Sequence, residues 1–597
     1  MSARFFYLLP FGAEYLGNGR TCFRLWAPDC QQVELVIDGE SPIVMQRGEP
    51  GMFEIETECG AGSAYYYRIN EKHYVPDPAS RQQSVDVHDR SLVCDPRAFH
   101  WQYHDWNGRP WHEIVIYELH AGCLGGFAEI SQHLAHLAEL GVTAIELMPI
   151  ADFRGNRNWG YDGVLLFAPD TAYGTPEQLK QLIDMAHGFG LCVYLDVVYN
   201  HFGPEGNYLH LYASDFFCAD RHSPWGAAIN FSHPQVRDFF TLNALYWLLE
   251  YRFDGLRFDA VDQIADPGWL DELAAQVRTA VEPGRHVHLM LENERNCSRH
   301  LENLFDAQWN DDGHNVLHVL LTGEKHSYYQ DFSAAPAAKL ARCMAEGFVY
   351  QGEQSPYRHR SRGTPSAHLP PHSFILFLQN HDQIGNRAFG ERLQQLAPAD
   401  ALRAAITLQL LIPQIPLLFM GEETGCRTPF FYFTDFGPEL AAAVREGRRR
   451  EFATLPAFAD PVVRQKIPDP NAITTFLSSI PESEDPEQSA CYLLFYRTLL
   501  MLRRKYIVPG LPGCHSLGAR ELGEFAVAAQ WRLGNGGLLI LLTNFGEQPQ
   551  AIDSFLTQGE LIADSRQLWN PHSGDRDSQW LPGHTTRIYL QQRSLFT

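Results

Sequence analysis

The stretch GLRFDAVD at residues 255–262 places an arginine and an aspartate inside text that otherwise reads as a buried strand. Side chains two apart in a strand share a face, so Arg257 and Asp259 point to the side opposite Leu256 and Phe258. A buried ion pair is costly and often adds nothing to stability. A nearby cation, however, favours the charged form of a carboxyl group. The pair therefore predicts an ionised, positioned carboxylate at Asp259, which is the form that acts as a nucleophile.

Further polar residues stand at the ends of other apolar runs. These are Asp196 with Asn200 and His201 just beyond it, Glu292, and the pair His381 and Asp382. A helix N-cap accounts for one terminal aspartate, but not for this whole set. On adjacent strands, about 5 Å apart, repulsion from Asp259 should raise the pKa of Glu292 and suit it to be a general acid. Two carboxyls with opposed pKa values are typical of glycoside hydrolysis, and a short separation is typical of the retaining enzymes.

Eight short apolar runs alternate with segments that have a helical pattern, and these runs would position the polar residues. The predicted strands are 113–120, 141–150, 191–198, 253–259, 286–293, 305–309, 374–380 and 415–423. Strand-helix alternation implies parallel strands with right-handed crossovers, and eight such units close into a (β/α)8 TIM barrel. A doubly wound open sheet is the alternative, but it predicts a glycine-rich phosphate turn that the sequence lacks. The active site of a barrel lies at the carboxyl ends of its strands, where the polar residues would meet.

On both sides of the predicted barrel, apolar and polar residues alternate with a period of two, as is typical of β-strands. We predict an N-terminal β-sandwich over residues 1–95, a catalytic barrel over 105–505 and a C-terminal β-sandwich over 510–597. Long loops interrupt the barrel at 200–234 and 310–372, and loops of this length inside a compact domain are usually functional.

The composition argues against several classes of partner. A formal net charge of −24 offers no basic patch for nucleic-acid phosphates or for an anionic membrane. The chain has no apolar stretch long enough to predict a transmembrane helix. Its twelve cysteines are scattered without CxxC or zinc-like spacing, which favours reduced thiols in a cytoplasmic protein. We expect no metal site and no cofactor.

Four motifs carry a family resemblance. DVVYNH (196–201), GLRFDAVD (255–262), LEN (291–293) and QNHDQ (379–383) resemble, in order and spacing, the signature regions of the α-amylase family of glycoside hydrolases. The resemblance implies that Asp259 is the nucleophile, Glu292 the acid/base and Asp382 the carboxylate that stabilises the transition state. It further implies sugar binding by His201 and His381, stacking under the sugar by Tyr161 of WGYDG, and an arginine beside the nucleophile at Arg257.

Within that family the chain resembles the malto-oligosyltrehalose trehalohydrolases over nearly its whole length. FRLWAP (23–28), YNHFGPEGNYL (199–209), FDAQWNDD (305–312) and GFVYQGEQSPYR (347–358) carry this closer likeness. It implies a carbohydrate-binding-like N-terminal domain and hydrolysis of the α-1,4 bond between a terminal trehalose and a maltooligosaccharide. A synthase would supply the maltooligosyltrehalose substrate. Asp312 and Gln383 lie in matching motifs and are expected to bind substrate.

Two features of the loops bear on specificity. Trp225 of SPWGAAIN is predicted to shape the trehalose side of the site, because aromatic planes around a carboxylate mouth suit sugar faces. The text HAGCLGGFAEI (120–130) is shorter than the usual family loop, and DDGHN (311–315) departs from the usual DDFHH-like text. We expect these departures to affect the preferred donor length rather than the chemistry.

Two other functions remain to be distinguished. A glycogen branching enzyme would carry the same carboxylates and a similar N-terminal sandwich, but it would transfer a chain to a sugar hydroxyl instead of to water. A non-catalytic sugar-binding protein on an amylase-like barrel predicts the loss of at least one carboxylate, whereas Asp259, Glu292 and Asp382 are all present.

Overall fold

The centre of the molecule is a closed barrel of eight parallel strands that follow one another in chain order. The structure is a computed structural model and describes residues 5–48, 50–223, 225–264, 266–483, 485–572 and 579–592. The barrel strands are Ile116–Leu119, Ala144–Leu147, Cys192–Val197, Gly255–Phe258, His288–Leu291, Ala307–Trp309, Phe374–Phe377 and Ile415–Phe419. Each strand lies inside one of the eight predicted runs, so the predicted (β/α)8 barrel is confirmed.

Helices connect the strands and cover the outside of the barrel. The long helices are Phe127–Leu140, Pro176–Gly188, Pro234–Leu249, Pro267–Ala280, Asp311–Thr322, Pro336–Glu346, Ala399–Leu411, Pro438–Phe452 and Pro486–Leu502. The short ones are Gln330–Ser333, His381–Gly385, Leu393–Leu396, Pro461–Arg464 and Ile473–Leu477, and a further short helix, Ser565–Trp569, belongs to the C-terminal domain. Several begin at a side-chain cap followed by proline, as at Thr175, Asp266 and Asp485, because such a cap satisfies backbone N–H groups that the first turn leaves unpaired.

The barrel interior changes from apolar to polar along the strand direction. Its amino-terminal part is one buried cluster of Ile114, Ile116, Ala144, Cys192, Tyr194, Met290, Ala307, Trp309, Ile375, Phe377, Ile415 and Leu417. Two residues further along their strands, on the same faces, stand the buried side chains of Glu118, Glu146 and Asp196. Asp196 lies in register with Arg257 of the next strand. The period of two residues in each strand therefore stacks a layer of acidic side chains on an apolar base, directly below the carboxyl ends.

Two β-rich domains flank the barrel and, with it, confirm the predicted fold class. The N-terminal domain pairs a sheet of Gly12–Gly17, Arg20–Trp26, Gln46–Arg47 and Met52–Glu58 with a sheet of Val33–Ile37, Ile43–Val44, Ala64–Ile69, His73–Val75 and Ser91–Leu92. The C-terminal domain has a sheet of His515–Gly523, Ala526–Arg532, Leu538–Asn544, Glu560–Asp564 and Thr585–Gln591, beside a small sheet of Gln550–Ala551 and Trp580–Leu581. The exact boundaries of the three domains stay predictions.

The long loops at the barrel mouth have structure of their own. The first holds the hairpin Phe217–Ser223 and Gly226–Ile229, with Trp225 in its turn. The second contains three helices and the small hairpin Gln354–Ser355 and Arg360–Ser361, and a further two-stranded sheet joins Ala151–Asp152 to Leu165–Pro169. Among the helices of the described residues, none has both the length and the apolar character needed to cross a membrane.

Candidate active site

Arg257 lies at the centre of a cluster of carboxylates at the barrel mouth. Its Nη1 lies 2.7 Å from Oδ2 of Asp196 and 2.8 Å from Oδ1 of Asp259. Its Nη2 lies 2.8 Å from Oε2 of Glu292, and the guanidinium packs 4.2 Å from the centre of the Trp309 ring. One buried cation thus holds carboxyl groups from the third, fourth and fifth strands. This shared contact offsets the cost of burying the arginine and brings Asp259 and Glu292 together.

Asp259 stands just after the fourth strand, where the chain makes a tight turn. Its Oδ1 accepts from Arg257, and its Oδ2 accepts from Nδ2 of Asn200 at 2.8 Å. The next residue, Ala260, has a φ of 39°, in the left-handed region that few residues other than glycine adopt. Such strain is typical of active sites. Here the turn directs the N–H of Ala260 to Oε2 of Glu292, at 2.9 Å, so the strained residue links the two carboxyls.

Glu292 has the surroundings of a carboxyl that keeps its proton to a higher pH than an ordinary glutamate. Burial raises its pKa well above the usual range; Arg257 opposes this shift, and the nearby Asp259 adds to it. Its Oε2 is held by Arg257 and by the N–H of Ala260, whereas Oε1 has no hydrogen-bond partner among the described residues. The side chain is 24% exposed. Oε1 is therefore the atom that can carry a proton toward a ligand in the mouth.

His381 and Tyr161 form one side of the mouth. The two rings stack with centroids 5.1 Å apart and 26° between their planes. The hydroxyl of Tyr161 donates to Oδ2 of Asp196 at 2.6 Å, which ties the stack to the carboxylate cluster. Nδ1 of His381 lies 2.5 Å from Oε1 of Glu118, at the end of the first strand. The ring of Tyr161 is partly exposed, as stacking under a sugar requires.

Asp382 and Gln383 follow His381 in the short helix His381–Gly385. Asn380 caps this helix by accepting the backbone N–H of Gln383 at 2.9 Å. The carboxylate of Asp382 accepts from Nδ2 of Asn386 at 2.5 Å, and the side-chain oxygen of Gln383 accepts from the hydroxyl of Tyr328 at 3.3 Å. Both side chains are partly exposed. The structure therefore places both side chains at the mouth, and their roles in catalysis and substrate binding stay predictions.

His201 and Trp225 form another part of the rim. Their rings stack with centroids 4.6 Å apart and 15° between planes. Nε2 of His201 lies 2.9 Å from the carbonyl oxygen of Tyr161, and Nδ1 contacts Oδ1 of Asn200. Both ring nitrogens of His201 thus face protein oxygens already. Trp225 is 48% exposed, so its outer face remains accessible at the rim.

The structure corrects the assignment of Asp312 to substrate binding. Its side chain is fully buried and forms an ion pair with Arg362. The carboxylate also accepts from Nδ2 of Asn296 at 3.0 Å and from the backbone N–H groups of Val349 and Tyr350 at 2.8 and 3.0 Å. These bonds occupy both oxygens and anchor the second long loop. Asp312 is therefore a structural residue, because its carboxylate faces that loop rather than the mouth.

The neighbouring Asp311, which the sequence interpretation missed, is the partly exposed member of the pair. Burial raises its pKa to about 7; Arg362 opposes the shift and Asp382 adds to it. Glu292 in turn feels the charge of Asp311. The sequence could not choose between the two aspartates, because consecutive residues at the start of a helix point in different directions.

Glu118 was also missed as a site residue, although the signal that revealed Arg257 applies to it and to the neighbouring Glu146. Each interrupts an apolar run, in VIYELH and TAIELMPI, and each is buried inside the barrel. Within the described ranges, no group of three or more histidines, cysteines, aspartates and glutamates has a metal-binding arrangement.

Comparison with known proteins assigns the family. The model of the alpha amylase catalytic domain matches residues 96–225, that of carbohydrate-binding module 48 (isoamylase N-terminal domain) matches 10–96, and a domain of unknown function matches 514–587. The malto-oligosyltrehalose trehalohydrolase of Deinococcus radiodurans is 39% identical over 550 residues, covering 90% of this chain and 89% of the relative. The chain belongs to the malto-oligosyltrehalose trehalohydrolases of the α-amylase family. The relative of that name in Saccharolobus solfataricus is 36% identical and covers 89% of this chain and 92% of its own.

Two other matches delimit this family assignment. A solved structure of a Salmonella typhimurium protein, provisionally named an alpha amylase, is 42% identical, has a TM-score of 0.91 and covers 98% of this chain and 100% of its own. The branching enzyme of Burkholderia thailandensis is 33% identical over 273 residues, which cover only 40% of this chain and 33% of that enzyme. The trehalohydrolases thus match nearly the whole chain, whereas the branching enzyme matches part of it.

Proposed function

We propose that this protein hydrolyses the α-1,4 bond next to the terminal trehalose of maltooligosyltrehalose, releasing trehalose and a maltooligosaccharide with retention of configuration. The observation that carries the chemistry is the single guanidinium of Arg257, which contacts both Asp259 and Glu292 at 2.8 Å. Membership of the trehalohydrolase family supports the identity of the substrate. Two relatives with that name match this chain over about nine-tenths of their own length.

In the first step Glu292 acts as the acid and Asp259 as the nucleophile. Oδ1 of Asp259 is bonded to Arg257 and Oδ2 to Asn200, which orients the carboxylate for attack at the anomeric carbon. A carboxylate oxygen forms a bond to that carbon while the bond to the glycosidic oxygen breaks, and Glu292 supplies the proton to this oxygen. Trehalose leaves with a restored hydroxyl, and the maltooligosaccharide stays on the enzyme as a covalent ester.

In the second step the roles reverse. Glu292, now ionised, takes a proton from water as the water attacks the anomeric carbon and the ester bond to Asp259 breaks. Two inversions restore the original configuration, so the released maltooligosaccharide is the α-anomer. Asp382 stabilises the positive charge that develops on the sugar ring in both steps, because its carboxylate is partly exposed at the same mouth.

The remaining mouth residues bind the sugars. The Tyr161 and His381 stack would hold the glucose on the donor side of the cleaved bond, with Gln383 beside it. Trp225 would shape the trehalose side, because its exposed face lies on the rim formed with His201. Trehalose is bent and non-reducing, so it requires a shaped pocket rather than the open groove that suits a linear chain.

The substrate chemistry implies a preceding reaction and a compartment. An enzyme must first convert the reducing end of a maltooligosaccharide into a trehalose unit, and we propose that this protein acts after such a synthase. All twelve cysteines are free thiols, and eight of them are buried. Free thiols are typical of a reducing compartment, which supports a cytoplasmic location.

Product analysis tests the function directly. The purified protein would be incubated with maltooligosyltrehalose and, separately, with maltooligosaccharide of equal length, and the products would be separated by anion-exchange chromatography. We expect free trehalose from the first substrate and slower hydrolysis of the second. Formation of α-1,6 branches without trehalose would identify a branching enzyme and contradict the proposal.

A further inference from the structure

Glu118, at the end of the first barrel strand, holds His381 at two points. Its Oε1 lies 2.5 Å from Nδ1 of the His381 ring, and its Oε2 accepts the backbone N–H of His381 at 3.0 Å. The two residues are 1% and 3% exposed. One carboxylate thus sets both the ring and the backbone at the start of the short helix that carries Asp382.

Aromatic contacts fix the rest of the His381 ring. Tyr161 stacks on it, Trp159 meets it edge to face at 5.3 Å, and Trp309 lies 6.2 Å away. The ring therefore cannot turn without disturbing three neighbours. Nε2 is its one polar atom without a hydrogen-bond partner in the part of the chain that the structure describes, and it is left for a ligand.

The charges that face His381 come from several elements. Burial lowers its pKa, Glu118 on the first strand raises it, and Asp382 beside it on the short helix raises it further. Arg257 on the fourth strand opposes these carboxylates, and His120 beyond the first strand also feels the charge of His381. The net shift is upward, so the ring remains an imidazolium to a higher pH than an ordinary histidine. In that form Nε2 carries a proton and donates a hydrogen bond.

Glu146 gives a natural contrast on the second strand, where it lies in register with Glu118. Neither of its carboxyl oxygens has a hydrogen-bond partner among the described residues, although the side chain is buried. Burial raises its pKa well above the usual range, and Glu118 and Asp196 raise it further. Its surroundings therefore favour the neutral form of Glu146. Of these two neighbouring carboxyls, the one that contacts His381 has the two donors that stabilise a negative charge.

We propose that Glu118 is a positioning residue that holds His381 as a hydrogen-bond donor, with Nε2–H directed to a hydroxyl of the sugar on the donor side of the cleaved bond. The inference rests on the proposed function for the identity of that sugar. It does not depend on the trehalose unit, because the donor side is the same for maltooligosyltrehalose and for plain maltooligosaccharide.

The test compares Glu118→Gln with Glu146→Gln, the same change on the neighbouring strand. Glutamine has one oxygen, so it cannot accept from both Nδ1–H and the backbone N–H of His381. We expect kcat/KM to fall about 10- to 100-fold in Glu118→Gln, as for the loss of one charge-assisted hydrogen bond. Glu146→Gln removes no hydrogen bond among the described residues, and the amide is uncharged, like the form of Glu146 that burial favours, so its kcat/KM should stay within about twofold of the unchanged protein. Melting curves of both variants would report folding.

The pH profile separates positioning from a purely structural role. Without the Glu118 carboxylate, burial leaves His381 with a pKa below its usual value, so the ring loses its proton at a lower pH. As pH rises, kcat/KM of Glu118→Gln should therefore begin to fall earlier than in the unchanged protein. At acid pH, where the ring is protonated again, kcat/KM should recover. Loss of the proton of Glu292 lowers kcat/KM at alkaline pH in every variant. The informative measurement is therefore the difference in the alkaline limb of the pH profile between Glu118→Gln and Glu146→Gln. An alkaline limb of Glu118→Gln that coincides with that of Glu146→Gln would overturn the proposal, as would equal activity of the two variants.

Two further controls keep the result interpretable. If Glu118→Gln does not fold, Glu118→Asp replaces it: the shorter carboxylate keeps the charge but cannot reach both donors, so kcat/KM should fall without a move of the alkaline limb. Unchanged kcat/KM in that variant would also overturn the proposal. Both substrates would be assayed throughout. Failure of the unchanged protein to release trehalose would reject the proposed function, whereas the comparison of variants on plain maltooligosaccharide would still test Glu118.

Discussion

Glu292→Gln should separate proton donation from every other role of the side chain. In the structure Oε2 is held by Arg257 at 2.8 Å and by the N–H of Ala260 at 2.9 Å, while Oε1 has no partner among the described residues. The glutamine oxygen can take the place of Oε2, and the amide then stands where Oε1 would carry its proton. The fold should therefore be kept while the general acid is lost. General acid–base catalysis typically raises the rate about 10²- to 10⁴-fold. We therefore expect kcat of Glu292→Gln to fall by that factor, which corresponds to an activation free energy higher by about 2.7 to 5.4 kcal/mol.

The assay measures kcat for trehalose release beside kcat for an aryl maltoside with an activated leaving group. An activated leaving group departs without protonation, so its release should be affected far less than that of trehalose. In the unchanged protein the raised pKa of Glu292 keeps the acid form as pH rises, and activity falls only above that pKa. Glu294→Gln is a matched control, because Glu294 is a nearby carboxylate that pairs with Arg358. Equal losses on the two substrates, or trehalose release within about tenfold of normal, would refute the assignment of Glu292.

Four further outcomes are expected. Asp259→Asn should lose several orders of magnitude in kcat with folding intact, as measured by product release and thermal melting, and retention of activity within about tenfold would contradict its role. Proton NMR of fresh product should show the α-anomer first, since initial β-product would exclude the covalent route. Trp225→Ala should weaken hydrolysis of maltooligosyltrehalose more than that of plain maltooligosaccharide, and an equal loss would show that the ring supports the fold or the donor side. Asp312→Asn should lower the free energy of unfolding by about 3–5 kcal/mol, because Arg362 is then buried without its carboxylate partner. Denaturant titration measures this free energy, and an unchanged value would contradict the structural role of Asp312.

Much of the site could be predicted from short stretches of sequence. Charged residues are rarely found inside apolar runs, so each one marks an unusual position. Arg257 and Asp259 interrupt a predicted strand, Glu292 ends another, and the structure brings the three into contact around one guanidinium. The barrel itself followed from eight short apolar runs separated by helical text, because strand and helix have different hydrophobic periods. The roles of these residues in catalysis stay predictions until the variants are measured.

The sequence by itself determined the order of the strands and which residues stand at their ends, since both depend on neighbours along the chain. Only the tertiary structure decided what those residues touch. Glu118 and His381 are 263 positions apart and meet because the barrel closes its first strand onto its eighth, beside the seventh. Asp311 and Asp312 are adjacent in sequence, yet the helix start turns one toward the mouth and buries the other beside Arg362. Such contacts depend on closure and on side-chain direction in three dimensions, which no local pattern contains.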